Sequence, residues 1–356
     1  MADMTRVNIL NRVCVTGGAG TCGNRIVESL LKKGATEQVI SLDNNESSLF
    51  FQRERLKRYK AYSCSMTDIL NSIELERIFS NVDLVIHCAA YKNVPMCELS
   101  PNSCVDINIR GTENIISASI QAGVSKVLFT STDKAVNPTN IMGASKLVGE
   151  RLVIAANLLK SNTVFAATRF GNVLGSSGSV LQLFARQVRQ KLPMTITDPN
   201  MTRFMMSQLQ AAELVLESAD KAVGGEIYIT KMPVLNIGKF AEAFYQLCSE
   251  HSLVSSEYGS DSYEIVGARP GEKSYEELMS PDELSRSKDL GKFFVVLPKV
   301  YGDNMYADTN LKNTYNSLQN AQKIYNSHEE AYLDVTQTKE YLESILSDDS
   351  IDINTI

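Results

Sequence analysis

Over the first two-thirds of the chain, short apolar runs rich in Val and Ile alternate with longer segments of helical period. Continuous apolar runs read as strands buried on both faces, and a 3.6-residue period reads as the helices that cover them. The expected strands are RVCVTG, QVISLD, KAYSCS, VDLVIHCAA, KVLFTST and TVFAATRF. Between them lie expected helices such as NRIVESLLKKG and GTENIISASIQAG, each closed by a glycine, as helix C-termini often are. Repeated strand-helix units predict an α/β fold, a Rossmann doubly wound parallel sheet. From about Ser176 the rhythm changes to loops with Pro and Gly, the short strands MTITDP, GEIYITK and FFVVLP, and isolated helices. The pattern predicts a Rossmann domain with the catalytic residues over 1–175 and a smaller, partly interleaved C-terminal substrate-binding region over 176–343. A flexible acidic tail is expected over 344–356.

Composition narrows this picture. The 356 residues are 44% apolar, enough for a sizeable core, and a net charge of -6 without long like-charged blocks suggests neither a nucleic-acid nor an anionic-membrane surface. Seven scattered cysteines with no C-x-x-C pair, and three distant histidines (His87, His251, His328), argue against a disulfide framework and a metal site. The start MADMTRVNILNR lacks the features of a signal peptide, and no apolar stretch approaches the roughly 20 residues of a membrane span. A cytoplasmic, unanchored protein is expected.

Candidate chemistry begins at VCVTGGAGTCGNRIVESLL, where Gly18, Gly20 and Gly23 stand in G-x-G-x-x-G spacing between a strand and a helix. Glycines there let the backbone approach a pyrophosphate, whose charge sits at the helix N-terminus; Thr16, Gly17, Thr21 and Cys22 belong to the same turn. Asp43 ends the second strand, where a carboxylate accepts hydrogen bonds from an adenosine ribose. It would repel a 2'-phosphate, and the nearest basic residues, Arg53 and Arg55, come ten or more positions later, so NAD is favoured over NADP. Ser65, Met66 and Asp68 fall where the adenine edge is expected, and small Ala89 and Ala90 permit close cofactor approach, with His87 and Cys88 as packing residues.

The remaining strand ends supply substrate candidates. Lys92 and Glu98 follow the fourth strand, with solvated loop charges as the bland alternative. In STDKAVNPTNIMGASK, residues Thr132, Asp133 and Lys134 emerge at the same edge, and Met142 and Lys146 share one helix face. Asn172 and the Gly175–Val180 turn, with Ser179 and Val180 opening a helix, would meet a sugar diphosphate with backbone N–H groups. Arg203 and Arg269 suit phosphate and Glu272 a ribose hydroxyl, against structural ion pairs as the alternative. Thr195 and Thr197 are equally explained as edge-strand residues.

The stretches AAYKNVPMCE, STDKAVNPTN, MGASK, RFGNVLGSSGSV, DPNMTRF and ARPGEKSYEELMS give a resemblance that runs from Thr16 to about Leu342. The chain resembles an extended short-chain dehydrogenase/reductase, and within that family the NAD-dependent 4,6-dehydratases of UDP-N-acetylglucosamine. The wider family uses a Tyr-x-x-x-Lys pair; Lys146 matches and Met142 does not, and a thioether has no titratable proton. The resemblance implies the Met-containing branch that retains the C5 configuration, with Asp133 as acid at the C6 oxygen, Lys134 as C5 base and Thr132 hydrogen-bonded to the C4 oxygen. For the C4 proton, Thr132 is a relay with Asp133 or Lys146 as acceptor.

Each role makes a demand. A lysine must fall from about 10.4 to near neutrality, about 4 kcal/mol, and Asp133 must keep a proton, yet an ion pair between them shifts each the wrong way. The resemblance further implies a homo-oligomer, dimer or higher, paired through the helix of Lys146, and a bacterial surface sugar as the product's destination. Other readings are a dehydratase of a GDP-linked sugar, a nucleotide-sugar 4-epimerase, and a non-catalytic NAD-binding regulator. An epimerase needs no acid-base pair at C5 and C6, and a decayed site has no reason to keep Thr132, Asp133, Lys134 and Lys146 together.

Overall fold

The computed structural model describes residues 11–349 except 35, 160, 177, 255–258, 260–261, 270 and 300–308. The first half supplies β1 (Arg12–Thr16), β2 (Gln38–Asp43), β3 (Tyr62–Met66), β4 (Leu84–His87), β5 (Lys126–Thr132) and β6 (Val164–Phe170). There follow β7 (Asn172–Val173), β8 (Met194–Ile196), β9 (Thr202–Met206), β10 (Ile227–Thr230), β11 (Val234–Asn236), β12 (Tyr263–Ile265), β13 (Ser287–Asp289) and β14 (Phe293–Val296). The central sheet runs β3-β2-β1-β4-β5-β6-β10-β14-β13. It is parallel from β3 to β10, and β14 and β13 close it antiparallel. Strand order reverses between β1 and β4, so a crevice opens beyond the carboxyl ends of those strands. Register brings Thr16 opposite His87 and Thr132 opposite Phe170 at that edge.

Central strands such as LVIH of β4 are buried throughout, because helices cover both sheet faces. Helix Thr21–Lys33 turns Ile26, Val27, Leu30 and Leu31 inward, each contributing roughly 1.5–3 kcal/mol of burial. It ends at Gly34, whose φ of 66° is left-handed and whose N–H bonds the Leu30 carbonyl. Helix Gly111–Ala122 ends the same way at Gly123.

A second core lies around Phe184, Phe240, Phe244, Leu342 and Ile345, separate from the main one. It is built from the β11-β9-β7 sheet, the β12-β8 pair and helices Val180–Arg189, Ile237–Glu250 and Val335–Asp348. Interleaving is literal: β10, β13 and β14, from the second half of the chain, extend the first half's sheet. The tail expected from residue 344 begins instead as the end of helix Val335–Asp348, with Ile345 and Leu346 buried; 350–356 lie outside the described residues. The spacing of Leu342, Ile345 and Leu346 makes an apolar stripe that the acidic residues around it mask. No helix among the described residues is long and apolar enough to cross a membrane. No group of three or more His, Cys, Asp or Glu among them could hold a metal ion.

Candidate active site

A cleft of about 1100 Å³ follows the carboxyl edge of the sheet. At one end lies the glycine turn. Gly17 has φ 64°, and a Cβ on it would come within 2.7 Å of Ala89 N, so only glycine fits there. The Gly20 N–H closes the turn onto the Gly17 carbonyl at 3.0 Å, and helix Thr21–Lys33 starts immediately after it with its first amides at the cleft. Buried Gln52 fixes the turn from below, donating to the Gly18 carbonyl at 2.7 Å and accepting from Ser41 Oγ at 2.6 Å. Asp43 lines the cleft, and its carboxylate accepts the N–H groups of Ala19 and Asn45, both at 3.0 Å. A side-chain-free cradle, a helix N-terminus and a carboxylate beyond β2 together suit a dinucleotide.

The arginines expected to be remote are not all so. Arg55 lines the same end of the cleft, where it pairs with Glu28 at 3.0 Å and donates to Asn24 Oδ1 at 2.5 Å. Helix Glu46–Leu56 brings it back toward Asp43, which linear spacing hides. Thr21, Cys22, Gly23, Ala89 and Ala90 are on the wall, and burial pushes the Cys22 and Cys88 thiols up to about 11 and about 12. Thr16 and Gly18 lie behind it: Thr16 Oγ1 is 2.7 Å from His87 Nδ1, and Gly18 packs against Ser41. Burial and the Lys146 charge bring His87 down to about 3, so it is a neutral packing residue. Ser65 and Met66 do not reach the cleft; Ser65 Oγ bonds Thr67 Oγ1 at 3.0 Å, Met66 is exposed, and Thr67 and Ile69 line the wall instead. Asp68 caps its own turn and accepts from Asn44.

The centre of the cleft holds the Thr132–Lys134 turn. Thr132 Oγ1 donates to Asp133 Oδ1 at 2.8 Å, and Lys134 reaches the same oxygen with its backbone N–H at 2.8 Å and its Nζ at 3.1 Å. Thr132 and Lys134 line the cleft, whereas Asp133 is wholly buried behind them, and its Oδ2 has no hydrogen-bond partner among the described residues. Lys134 Nζ also donates to Asn172 Oδ1 at 3.1 Å and approaches Glu276 Oε1 at 3.3 Å. Burial would lower the lysine, but the Asp133 and Glu276 carboxylates outweigh it and hold Lys134 above the ordinary lysine range. The low value expected of a base is therefore absent from this resting ion pair.

Helix Ile141–Ala155 begins where Asn140 Oδ1 accepts the Gly143 N–H at 2.8 Å, and it presents Met142 and Lys146 to the cleft. A Cβ on Gly143 would overlap the Lys134 carbonyl oxygen, which explains the glycine after Met142. Met142 sits in an apolar nest with Cys97 and Cys104. Lys146 Nζ donates to the Thr130 carbonyl at 2.7 Å and lies 3.9 Å from the Phe129 ring centroid; burial brings it down to about 8. Glu98 does not line the cleft: it accepts the Ile141 N–H at 2.7 Å and so caps this helix, a favourable site for an anion. One turn beyond Lys146, buried Glu150 pairs with Arg169.

Two residues are missing from the sequence expectations, one behind the site and one in it. Asn108, held in a π-type turn at Asp106–Arg110, donates to the Tyr91 carbonyl and Ser145 Oγ, both at 2.9 Å, and accepts the Tyr91 N–H at 2.8 Å. It ties the Lys92 loop to the helix of Lys146; with polar Thr112 one turn on in the same buried face, no local contrast marks it in the sequence. Glu276, inside SYEELMS, is buried and lines the cleft; its Oε1 meets Lys134 Nζ and lies 3.6 Å from Arg203 Nε, while Oε2 lacks a partner among the described residues. Burial and the Asp133 charge push the Glu276 carboxyl above the usual carboxylate range, against Lys134 and Arg203. Nothing local distinguishes it from Glu277.

Ser179, Val180, Arg203, Arg269 and Glu272 also line the cleft, as do Asn172, bonded to Lys134, and Lys92, whose charge lies close to Cys22 and Lys134. Arg203 is turned inward, however. It donates to the carbonyls of Thr202 at 2.9 Å, Ser274 at 3.3 Å and Lys273 at 2.8 Å, and reaches Glu272 at 3.5 Å, so it fastens the 272–276 segment rather than standing free for phosphate. Arg269 is exposed at the rim, and Glu272 accepts its backbone N–H. Burial lowers Lys92. Thr195 lies outside the wall, paired with Gln187, and Thr197 donates to Glu272 at 3.3 Å.

A Rossmann sheet with this glycine turn, and a lysine helix crossing the carboxyl edge beside β5, define an extended short-chain dehydrogenase/reductase. Within that class the chain belongs to the polysaccharide biosynthesis protein family, whose model matches residues 13–298. It is 40% identical over 336 residues to an uncharacterized membrane protein of Methanocaldococcus jannaschii, covering 94% of this chain and 95% of that one. It is 34% identical over 344 residues to a UDP-glucose 4-epimerase of Rickettsia felis, covering 92% and 94%. The solved structure of Pen from Bacillus thuringiensis superimposes with a TM-score of 0.83 at 32% identity, covering 94% of this chain and 98% of that one. Several solved structures that share the fold at lower identity carry NAD.

Proposed function

We propose that this protein is an NAD-dependent UDP-N-acetylglucosamine 4,6-dehydratase that retains the C5 configuration. The observation that carries the reading is the hydrogen-bonded run Thr132, Asp133, Lys134, set beside a helix in which Met142 stands where a phenolic base is expected. NAD, for which the Gly17–Gly23 turn and Asp43 are suited, supplies the acceptor that takes hydride from C4 and returns it to C6. Thr132 Oγ1 relays the C4 hydroxyl proton, and its hydrogen bond to the buried Asp133 carboxylate supports that group over Lys146 as the acceptor. Lys134 works at C5, and its proton returns to the same face. Lys146 holds the cofactor ribose, as its place on the wall allows. Arg269 is left for the diphosphate, with the amides at Ser179 and Val180, and Lys92, close to Cys22 and Lys134, is left for the sugar.

The Rickettsia relative's name favours a 4-epimerase as the second reading. An epimerase leaves the mass of its substrate unchanged and has no use for a base at C5. Incubation with UDP-N-acetylglucosamine, UDP-glucose and GDP-linked sugars, followed by mass spectrometry, separates the two. Loss of one water from the UDP-N-acetylglucosamine, with no net use of NAD, is expected; an isomer of unchanged mass refutes dehydration, and turnover of a GDP sugar alone refutes the nucleotide assignment. Proton NMR of the product made in heavy water reads the C5 configuration. A homo-oligomer paired through helix Ile141–Ala155, whose Val148 is 42% exposed, belongs to the same proposal, and light scattering that gives a monomer refutes it.

A further inference from the structure

Lys134 must shed a proton before it can take one from C5, and an acid must protonate the departing C6 hydroxyl. The resting site gives Lys134 Nζ three acceptors: Asp133 Oδ1, Asn172 Oδ1 and Glu276 Oε1. An amide oxygen does not hold a proton at neutral pH. Asp133 Oδ1 already accepts Thr132 Oγ1 and the Lys134 N–H as well, and Asp133 stands off the cleft wall. Glu276 lines the cleft, is only 2% exposed, and has one oxygen on the ammonium and one without a partner among the described residues.

We propose that Glu276 is the catalytic acid of the elimination, loaded with its proton by Lys134. The inference rests on the dehydratase reading. The protons then close a cycle. Lys134 ammonium passes a proton to the Glu276 carboxylate, leaving a free amine and a carboxylic acid. Asp133 takes the C4 hydroxyl proton through Thr132 as C4 becomes a ketone. The amine removes the C5 proton; the electron pair of that C5–H bond forms the C5–C6 double bond, the C6–O bond breaks with its pair on oxygen, and Glu276 protonates that oxygen as water leaves. When hydride returns to C6, Lys134 gives its proton back to C5, and Asp133 recharges Lys134 across 3.1 Å. Asp133 and Glu276 end as carboxylates and Lys134 as an ammonium, as they began. Burial and the Asp133 charge raise the Glu276 carboxyl, the direction an acid needs, while the same contact raises Lys134, so the substrate must separate the pair for the proton to pass.

The test compares UDP-N-acetylglucosamine with its 6-deoxy-6-fluoro analogue, since fluoride leaves without needing a proton of its own. Glu276→Gln keeps the side-chain size, and Glu276→Asp keeps the acid; NAD titration of both reports that they fold. With the natural substrate, Glu276→Gln is expected to lose water about 100-fold more slowly, with the reduced nicotinamide absorbance at 340 nm persisting, and Glu276→Asp to recover part of the rate. With the fluoro analogue the loss is expected to shrink at least tenfold. Asp133→Asn, in contrast, is expected to fail before any reduced cofactor forms, with both substrates. Equal losses of Glu276→Gln on the two substrates overturn the assignment, as does relief by fluoride in Asp133→Asn alone. Wild-type protein that eliminates neither water nor fluoride overturns the dehydratase reading itself and this proposal with it.

Discussion

Replacing Arg169 with Met tests how the lysine helix is held in register. Arg169 is fully buried and shared: Nη2 and Nε meet Glu150 at 2.6 and 2.7 Å, and Nη1 and Nη2 meet Glu283, both at 2.8 Å. Burial alone would raise Glu283, but the Arg169 guanidinium outweighs it and holds that carboxyl down to about 2 from the ordinary 4.5. A drop of that size corresponds to about 3 kcal/mol of native-state stability. It agrees with the roughly 3–5 kcal/mol lost when one partner of a buried pair is removed. Arg151 at 3.5 Å and Arg286 at 3.7 Å stay near Glu283, but Glu150 is fully buried and loses its ion pair, so about 3–5 kcal/mol is expected for Arg169→Met. The chain has no tryptophan, so urea unfolding is followed by far-UV circular dichroism. Because the folded value of Glu283 is depressed, its stabilisation is complete above about pH 4.5 and is lost as pH falls toward 2. The gap between wild type and variant therefore narrows on acidification. A gap below about 1 kcal/mol at pH 7, or one that widens at low pH, refutes the reasoning.

Other expectations follow from the cleft. Lys134→Ala abolishes water loss while NAD titration is unchanged; an active variant removes Lys134 from the chemistry. Asp43→Asn weakens NAD about tenfold, roughly one charge-assisted hydrogen bond, and narrows its advantage over NADP, since Arg55 lies in the same wall; unchanged titration curves for both dinucleotides refute this. Gly143→Ala forces its helix away from the Lys134 carbonyl, costing about 1–3 kcal/mol and most of the turnover. A fully active, equally stable Gly143→Ala protein shows that the close approach is dispensable.

Strand and helix periods made the sheet legible, since β1, β2, β4, β5 and β6 are apolar runs of four to seven residues buried by the helices they alternate with, and the edge strand β3 keeps the same alternation. The strands β7, β9, β11, β12 and β13 were not anticipated; they are two to five residues long and owe their existence to partners far along the chain, such as β9 between β7 and β11. The same distinction runs through the site. Thr132, Lys134, Met142 and Lys146 sit on elements whose position the local pattern determines, and they share the cleft as expected. In the sequence Glu98 and Arg203 look like ligand contacts, because charge near a strand end looks alike whether it faces a cleft or a helix end. Only tertiary structure tells that Glu98 meets the Ile141 amide and Arg203 a row of carbonyls. Glu276 is the converse: its loop becomes part of the site by crossing back over Lys134, 142 residues earlier in the chain.

The position of β10, β13 and β14 has a consequence for how such a chain can change over generations. The second half of the sequence supplies the edge of the first half's sheet, and Glu283 in that half neutralises Arg169 in the other. A crossover that imported a C-terminal half lacking these elements would leave β6 without one of its two neighbours and Arg169 without one of its two carboxylates. An exchange of C-terminal halves is compatible with this architecture only where the incoming half brings a strand that pairs with β6 and a carboxylate that meets Arg169.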